Sequence, residues 1–127
     1  MKVNGENMEN KKTLMSFENY KIDKISLYDK KSIENTFEII LGVSKALEKE
    51  EETVLSIGVL LETGERHIEL VMKGMFLFES NIKYENKEKF LKINGAAILY
   101  PYIRAYISTL TSFDQAGSSV IIPTINF

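Results

Sequence analysis

Few residues in this sequence could do chemistry: it holds one histidine and no cysteine. His67 follows "ETGER" at an expected hairpin exit. An imidazole there could act as a general acid or base or bind a metal, but either role needs further groups placed around it. His67 has no such partner in sequence and is read as a solvated strand residue. The aspartates are Asp23, Asp29 and Asp114 alone, and Ser118 and Ser119 have no neighbouring base to make either a nucleophile. No glycine-rich phosphate loop occurs. The expectation is no enzyme, no metal and no cofactor, so function must rest on apolar and backbone groups and on the elements that present them.

The chain has 127 residues, 44% of them hydrophobic. That suits one globular domain, which at this size buries roughly two thirds of its unfolded surface. Sixteen basic residues against eighteen acidic ones leave a net charge of −2, which gives no reason to expect nucleic acid as a partner. The absence of cysteine excludes disulfides and thiolate sites. The opening "MKVNGENMENKK" lacks an apolar targeting core, and no run of about 18 apolar residues occurs. No membrane insertion is expected, and the cytoplasm is the expected location. Residues 1–13 read as a flexible polar tail and 14–127 as the single domain.

Four strands are expected. In "LMSFENYKIDKISL", apolar residues recur at gaps of two and three, as in an irregular or bulged edge strand. In "SIENTFEIILGVSKALEKE", Ile33, Phe37, Ile39, Leu41, Val43 and Leu47 share one parity, which is the pattern of a strand with one buried face. "TVLSIGVLLE" and, after the turn signal "ETGE", "RHIELVMKGMFLFE" complete an antiparallel meander. Gly74 within the last strand marks a bulge or a close backbone approach. Met72 and Met75 read as core filling, with an adaptable binding contact as the alternative. The run at 48–52 reads as a solvated hairpin tip or, alternatively, a docking site for a basic surface.

After "SNIKYENKEKFLKINGA" the period becomes helical. Ile98, Leu99, Tyr102, Ile103, Tyr106, Ile107, Leu110 and Phe113 fall within about half the circumference. Pro101 belongs in the first turn, so the helix is expected to start near Leu99 or Tyr100. The opposite arc holds Ala97, Pro101, Ala105, Ser108 and Ser112, with Arg104 as the one long charged side chain. Small residues there predict that another backbone comes close. The expected oligomer interface is therefore Pro101, Arg104, Ala105, Ser108 and Ser112, with Arg104 either pairing across it or snorkelling from it. "DQAGSSVIIPTINF" closes the chain as a loop and an apolar extended segment that must pack.

Three segments resemble the SecB family of protein-export chaperones: "VMKGMF" (71–76), "ILYPYIRAYISTLTS" (98–112) and "IIPTINF" (121–127). The first resembles the family's strand ending in Gly-x-Phe-type residues. The second resembles its helix with proline, an aromatic and arginine, and the third its Pro-x-Asn-Phe segment. The resemblance covers residues 14–127 and implies an α+β fold, a four-stranded antiparallel sheet with one long helix on one face, assembled as a homodimer or homotetramer. It also implies holding of unfolded polypeptide clients without ATP, which suits a groove that offers main-chain hydrogen bonds and apolar burial.

Family members continue past the Asn-Phe pair into a second helix that walls the groove and an acidic tail that helps bind the SecA motor; this chain is expected to lack both. Glu62, Glu65 and Glu69 lie near the strand that presents acidic residues to SecA, without a one-to-one match. Phe37, Ile39, Leu41, Ile122, Ile125 and Phe127 are core residues by default. Without the second helix, part of their surface should lie open for polypeptide binding. The alternative is a SecB-like protein dedicated to one partner, such as a toxin–antitoxin component or a host protein targeted by a mobile element.

Overall fold

The computed structural model describes residues 15–46, 51–79, 81–113 and 120–127. The expected polar tail 1–13, the acidic run up to residue 50, and Asp114, Ser118 and Ser119 lie outside them. β1 (Met15–Asp29), β2 (Thr36–Lys45), β3 (Glu52–Glu62) and β4 (Arg66–Phe78) form one antiparallel sheet in the order β1-β4-β3-β2. β2 to β4 are the expected meander, and β1 returns to the far edge beside β4. Its irregular apolar spacing is explained by two register shifts, at Phe17/Asn19 and Ile22/Lys24. Each extra residue restores apolar side chains to the inner face.

Alternation decides which face is buried. Leu55, Ile57 and Val59 of β3 and Ile68, Leu70, Met72 and Phe76 of β4 point to the helix side and are at most 3% exposed. Their neighbours on the other face, among them Val54, Ser56, Lys73 and Met75, are half-buried. Ile33 lies outside β2 and is fully exposed, so the inward parity begins at Phe37.

The helix begins earlier than its apolar period indicates. α1 (Tyr84–Phe90) passes through a π turn (Leu91–Gly95) into α2 (Ala96–Ser112), and Leu91, Gly95 and Ala96 all keep right-handed helical dihedrals. Pro101 therefore sits inside α2 and does not define the helix start, which corrects the expectation. It cannot bond the carbonyl of Ala97, but Ala97 is exposed, so water can satisfy that oxygen. At the π turn, a Cβ on Gly95 would lie 2.7 Å from Leu91 Cδ2 and 3.3 Å from Leu55 Cδ2. Glycine lets the turn settle on β3.

Gly74 serves the same purpose on the sheet. It keeps regular register with Tyr20 and Leu55, so it is not a bulge. A Cβ there would stand 3.1 Å from Leu99 Cδ2 and 3.0 Å from Phe76 Cε1. The space a Cβ would need is taken by the Leu99 side chain of α2 and not by another backbone.

Candidate polypeptide-binding groove

α2 has two working flanks. On one, Tyr102 and Tyr106 meet Tyr20 of β1, with ring centroids 4.6 and 6.3 Å apart, and Phe17 lies 6.0 Å from Tyr102. The other flank, roughly 160–200° around the axis at 100° per residue, carries Tyr100, Arg104 and Thr111. These three hold the C-terminal segment, residues 120–127, by its backbone. The Thr111 hydroxyl accepts the Val120 N–H at 2.7 Å, Arg104 Nε donates to the Ile122 carbonyl at 3.1 Å, and the Tyr100 hydroxyl donates to the Pro123 carbonyl at 2.5 Å. Phe127 meets Tyr100 edge-on at 5.4 Å. With β1 on the opposite flank, the segment lies over the β2 half of the sheet.

This arrangement redraws the buried arc of the helix. Tyr100 (3% exposed) and Thr111 (1%) are core residues, whereas Phe113, expected inside, is 77% exposed and Tyr102 is 39% exposed. Within the chain, Arg104 clamps the tail through its Nε. Burial raises the Tyr100 phenol above its ordinary pKa, and the nearby Arg104 charge partly opposes the shift.

The six candidate binding residues fall into two groups. Ile122 is 1% exposed and anchors the tail in the core, so it offers no surface to a client in this arrangement. Phe37, Ile39 and Leu41 on the inner side of β2, and Ile125 and Phe127 on the tail, are half-buried and border the same core. They form two apolar strips, one along a sheet edge and one along the tail. Of the interface candidates, Pro101, Ala105 and Ser112 are exposed and Ser108 is half-buried, leaving the small-residue arc of α2 open on the protomer.

One contact beside the open edge of β2 has no signal in the sequence. Tyr84, in the first turn of α1, donates its hydroxyl to the Val43 carbonyl of β2 at 3.1 Å, and Lys45 Nζ lies 5.1 Å from its ring centroid. A lone tyrosine among charged residues has no periodicity to reveal it.

His67 also differs from expectation. It is 8% exposed, stacks on Tyr28 at 4.6 Å, and lies between Glu62 (3.6 Å) and Glu69 (3.9 Å) on the helix-free face. The cross-strand pairing of Tyr28 with His67 places that lid over it. Glu62 and Glu69 also meet Lys30 and Lys24, respectively. Among the described residues no group of acidic and imidazole side chains could hold a metal ion, and no helix is long and apolar enough to cross a membrane. Met72 is fully buried, as core filling requires, while Met75 is half-buried on the helix-free face.

Comparison with solved structures shows this fold elsewhere. The SecB-like chaperone Rv1957 of Mycobacterium tuberculosis, solved in complex with a ChAD peptide from the Rv1956 HigA1 antitoxin, superposes with a TM-score of 0.73 at 14% identity, covering 89% of this chain and 91% of that one. A Streptococcus agalactiae protein of unknown function superposes with a TM-score of 0.60 at 14% identity, covering 87% and 97%. A search of curated proteins by sequence finds no match. The sequence model of the family described as preprotein translocase subunit SecB matches residues 11–127, taking in the whole described sheet, the helix and the tail. The chain belongs to the SecB family.

Proposed function

We propose that this chain is a cytoplasmic, ATP-independent chaperone that holds unfolded or extended polypeptide between the inner edge of β2 and the C-terminal segment. The observation carrying this reading is the pair of half-buried apolar strips, Phe37, Ile39 and Leu41 on one side and Ile125 and Phe127 on the other, bordering one core. An extended client lying between them removes apolar surface from water at about 25 cal/mol per Å². It needs no base, metal or nucleotide to do so, and its release is simple dissociation. The protein acts as a homo-oligomer in which the open arc of Pro101, Ala105, Ser108 and Ser112 meets a second copy, since small side chains let helices approach closely.

The test is suppression of aggregation of two unrelated unfolding proteins without nucleotide, with light scattering to give the mass of the free protein and its complexes. Both clients should stay soluble at stoichiometric ratios, bound to an oligomer. A folded protein that protects neither would overturn general holding.

A second reading has its own support. The M. tuberculosis relative was solved with a peptide from an antitoxin, and a protein sharing its fold could likewise be dedicated to one partner, such as a toxin–antitoxin component. It predicts indifference to generic clients and one tight partner recovered from the native cell.

A further inference from the structure

Three of the five described glycines have a reason within the fold. Gly64 takes a positive φ of 93°, and a Cβ on Gly74 or Gly95 would press on a buried leucine. Gly42 and Gly58 have no such reason. A Cβ on Gly42 would meet nothing within 4 Å, and one on Gly58 would make only ordinary contact with Val71 Cγ2 at 3.7 Å and the Ile40 carbonyl oxygen at 4.0 Å. Both stand on the helix-free face, in neighbouring strands. Glycine weakens a strand interior and often marks a place where something else comes close. Here the two open a hollow of about 270 Å³ walled by Leu60, Val71 and the exposed Ile40.

The charges beside this hollow are unevenly met. Lys21 and Lys73 are directly opposite one another in the β1–β4 register, and the row continues through Ser56 to Gly42. Like charges so placed repel. Asp23 reaches Lys73 at 3.7 Å, but Lys21 is exposed and has no ion-pair partner among the described residues. The two lysines border a second depression of about 590 Å³ whose floor includes Val54 and Met75. The acidic end of the face is met from within the chain, by Lys24 on Glu69 at 3.2 Å and Lys30 on Glu62 at 3.4 Å.

We infer that the helix-free face docks an acidic amphipathic helix of a partner protein, with its carboxylates between Lys21 and Lys73 and an apolar side chain in the hollow over Gly42 and Gly58. The site lies on the opposite face of the sheet from the groove, so the inference goes beyond polypeptide holding and does not rest on it. The lysines belong to β1 and β4 and the hollow to β3 and β2, which puts the two subsites two strand spacings, about 10 Å, apart. Two turns of an α-helix cover that distance, so glutamate and leucine seven residues apart share a face and reach both. Glu38, exposed on the far rim of the hollow, repels the carboxylates and sets which end of the helix lies over the lysines.

The probe is an alanine-rich helical peptide of eighteen residues, with glutamates at its fifth and eighth positions and leucines at its twelfth and fifteenth. Exchanging the glutamates for lysines, or the leucines for serines, should each weaken binding more than tenfold. On the protein, Lys21→Glu should weaken the acidic peptide more than tenfold and strengthen the lysine one. Gly42→Val fills the hollow where a Cβ meets nothing, so it should fold, melt no lower than the parent, and still lose the acidic peptide more than tenfold. Both variants should suppress client aggregation as the parent does. If the parent holds no clients, the proposed holding function fails while this peptide pattern still carries the docking site. No binding of the acidic peptide, equal binding of the lysine peptide, or a folded Gly42→Val that binds like the parent overturns the inference. Loss of peptide and client together in Gly42→Val also overturns it, by placing the peptide in the groove. A smaller mass for either variant than for the parent in light scattering overturns it by giving the face to a second copy.

Discussion

Arg104 Nε donates to the Ile122 carbonyl at 3.1 Å, so the long cation of α2 is committed to the backbone of its own chain, eighteen residues on. Ile122 is thereby held with its side chain 1% exposed while its neighbour Ile121 stays 73% exposed. The clamp reads backbone and leaves side-chain identity to the pocket beneath.

Arg104→Met should keep the stem and lose the charge-assisted bond, at a cost of about 1.5–3 kcal/mol for a hydrogen bond to a charged group. The loss should localise. Hydrogen exchange should rise in the C-terminal segment and leave the β3 and β4 amides protected. Thr111→Val, nearly isosteric, leaves the Val120 N–H without its acceptor and should loosen the same segment. Uniform deprotection of sheet and tail in both variants would show that the clamp is not a local device.

Ile122→Ala and Ile121→Ala separate anchor from surface. The buried side chain should cost about 2–5 kcal/mol, read by urea denaturation, and the exposed one less than about 0.5 kcal/mol. Comparable effects at the two positions would contradict the placement of Ile122 in the core.

The sheet was legible because alternation survives in the sequence: β2, β3 and β4 each keep a strict inner parity, and the irregular gaps of β1 record its bulges. The first turns of the helix were not legible. "YENKEKF" is mostly charged, with no apolar stripe, and helical continuity comes from its junction with α2 through the π turn. Pro101 drew the predicted start inward because proline is most at home in a first turn. The apolar period of the helix does not take in Tyr100 and Thr111, because the tail covering them arrives from far along the chain. The burial of His67 is not legible in the sequence because the residue covering it, Tyr28, belongs to a different strand.

Tyr100 links tail binding to pH. Its neutral hydroxyl donates to the Pro123 carbonyl, and a phenolate could not. Because its folded pKa is raised by burial, the folded state favours the protonated phenol. That contribution is fully present below the unfolded tyrosine pKa, near 10, and is lost as pH rises through the folded value. Tyr100→Phe should therefore be less stable than the parent at neutral pH, with the gap narrowing in alkaline solution. A gap that stays constant from pH 8 to pH 11 would remove Tyr100 from the alkaline response.

The seat of the helix rests on a missing side chain. With Gly74 placing no Cβ, Leu99 of α2 enters the sheet's inner face, and a methyl group there would press on Leu99 and Phe76 at 3.0–3.2 Å. Both neighbours are fully buried and cannot swing into solvent. Gly74→Ala should cost about 1–3 kcal/mol by overpacking, even though alanine is otherwise better suited to a strand interior. Leu99→Ala on its own opens a cavity and costs about 2–5 kcal/mol. In the double variant the new methyl faces the space left by Leu99, so the combined loss should be smaller than the sum of the two single losses. Strict additivity in a denaturation cycle would mean that Gly74 and Leu99 do not share the contact that seats the helix.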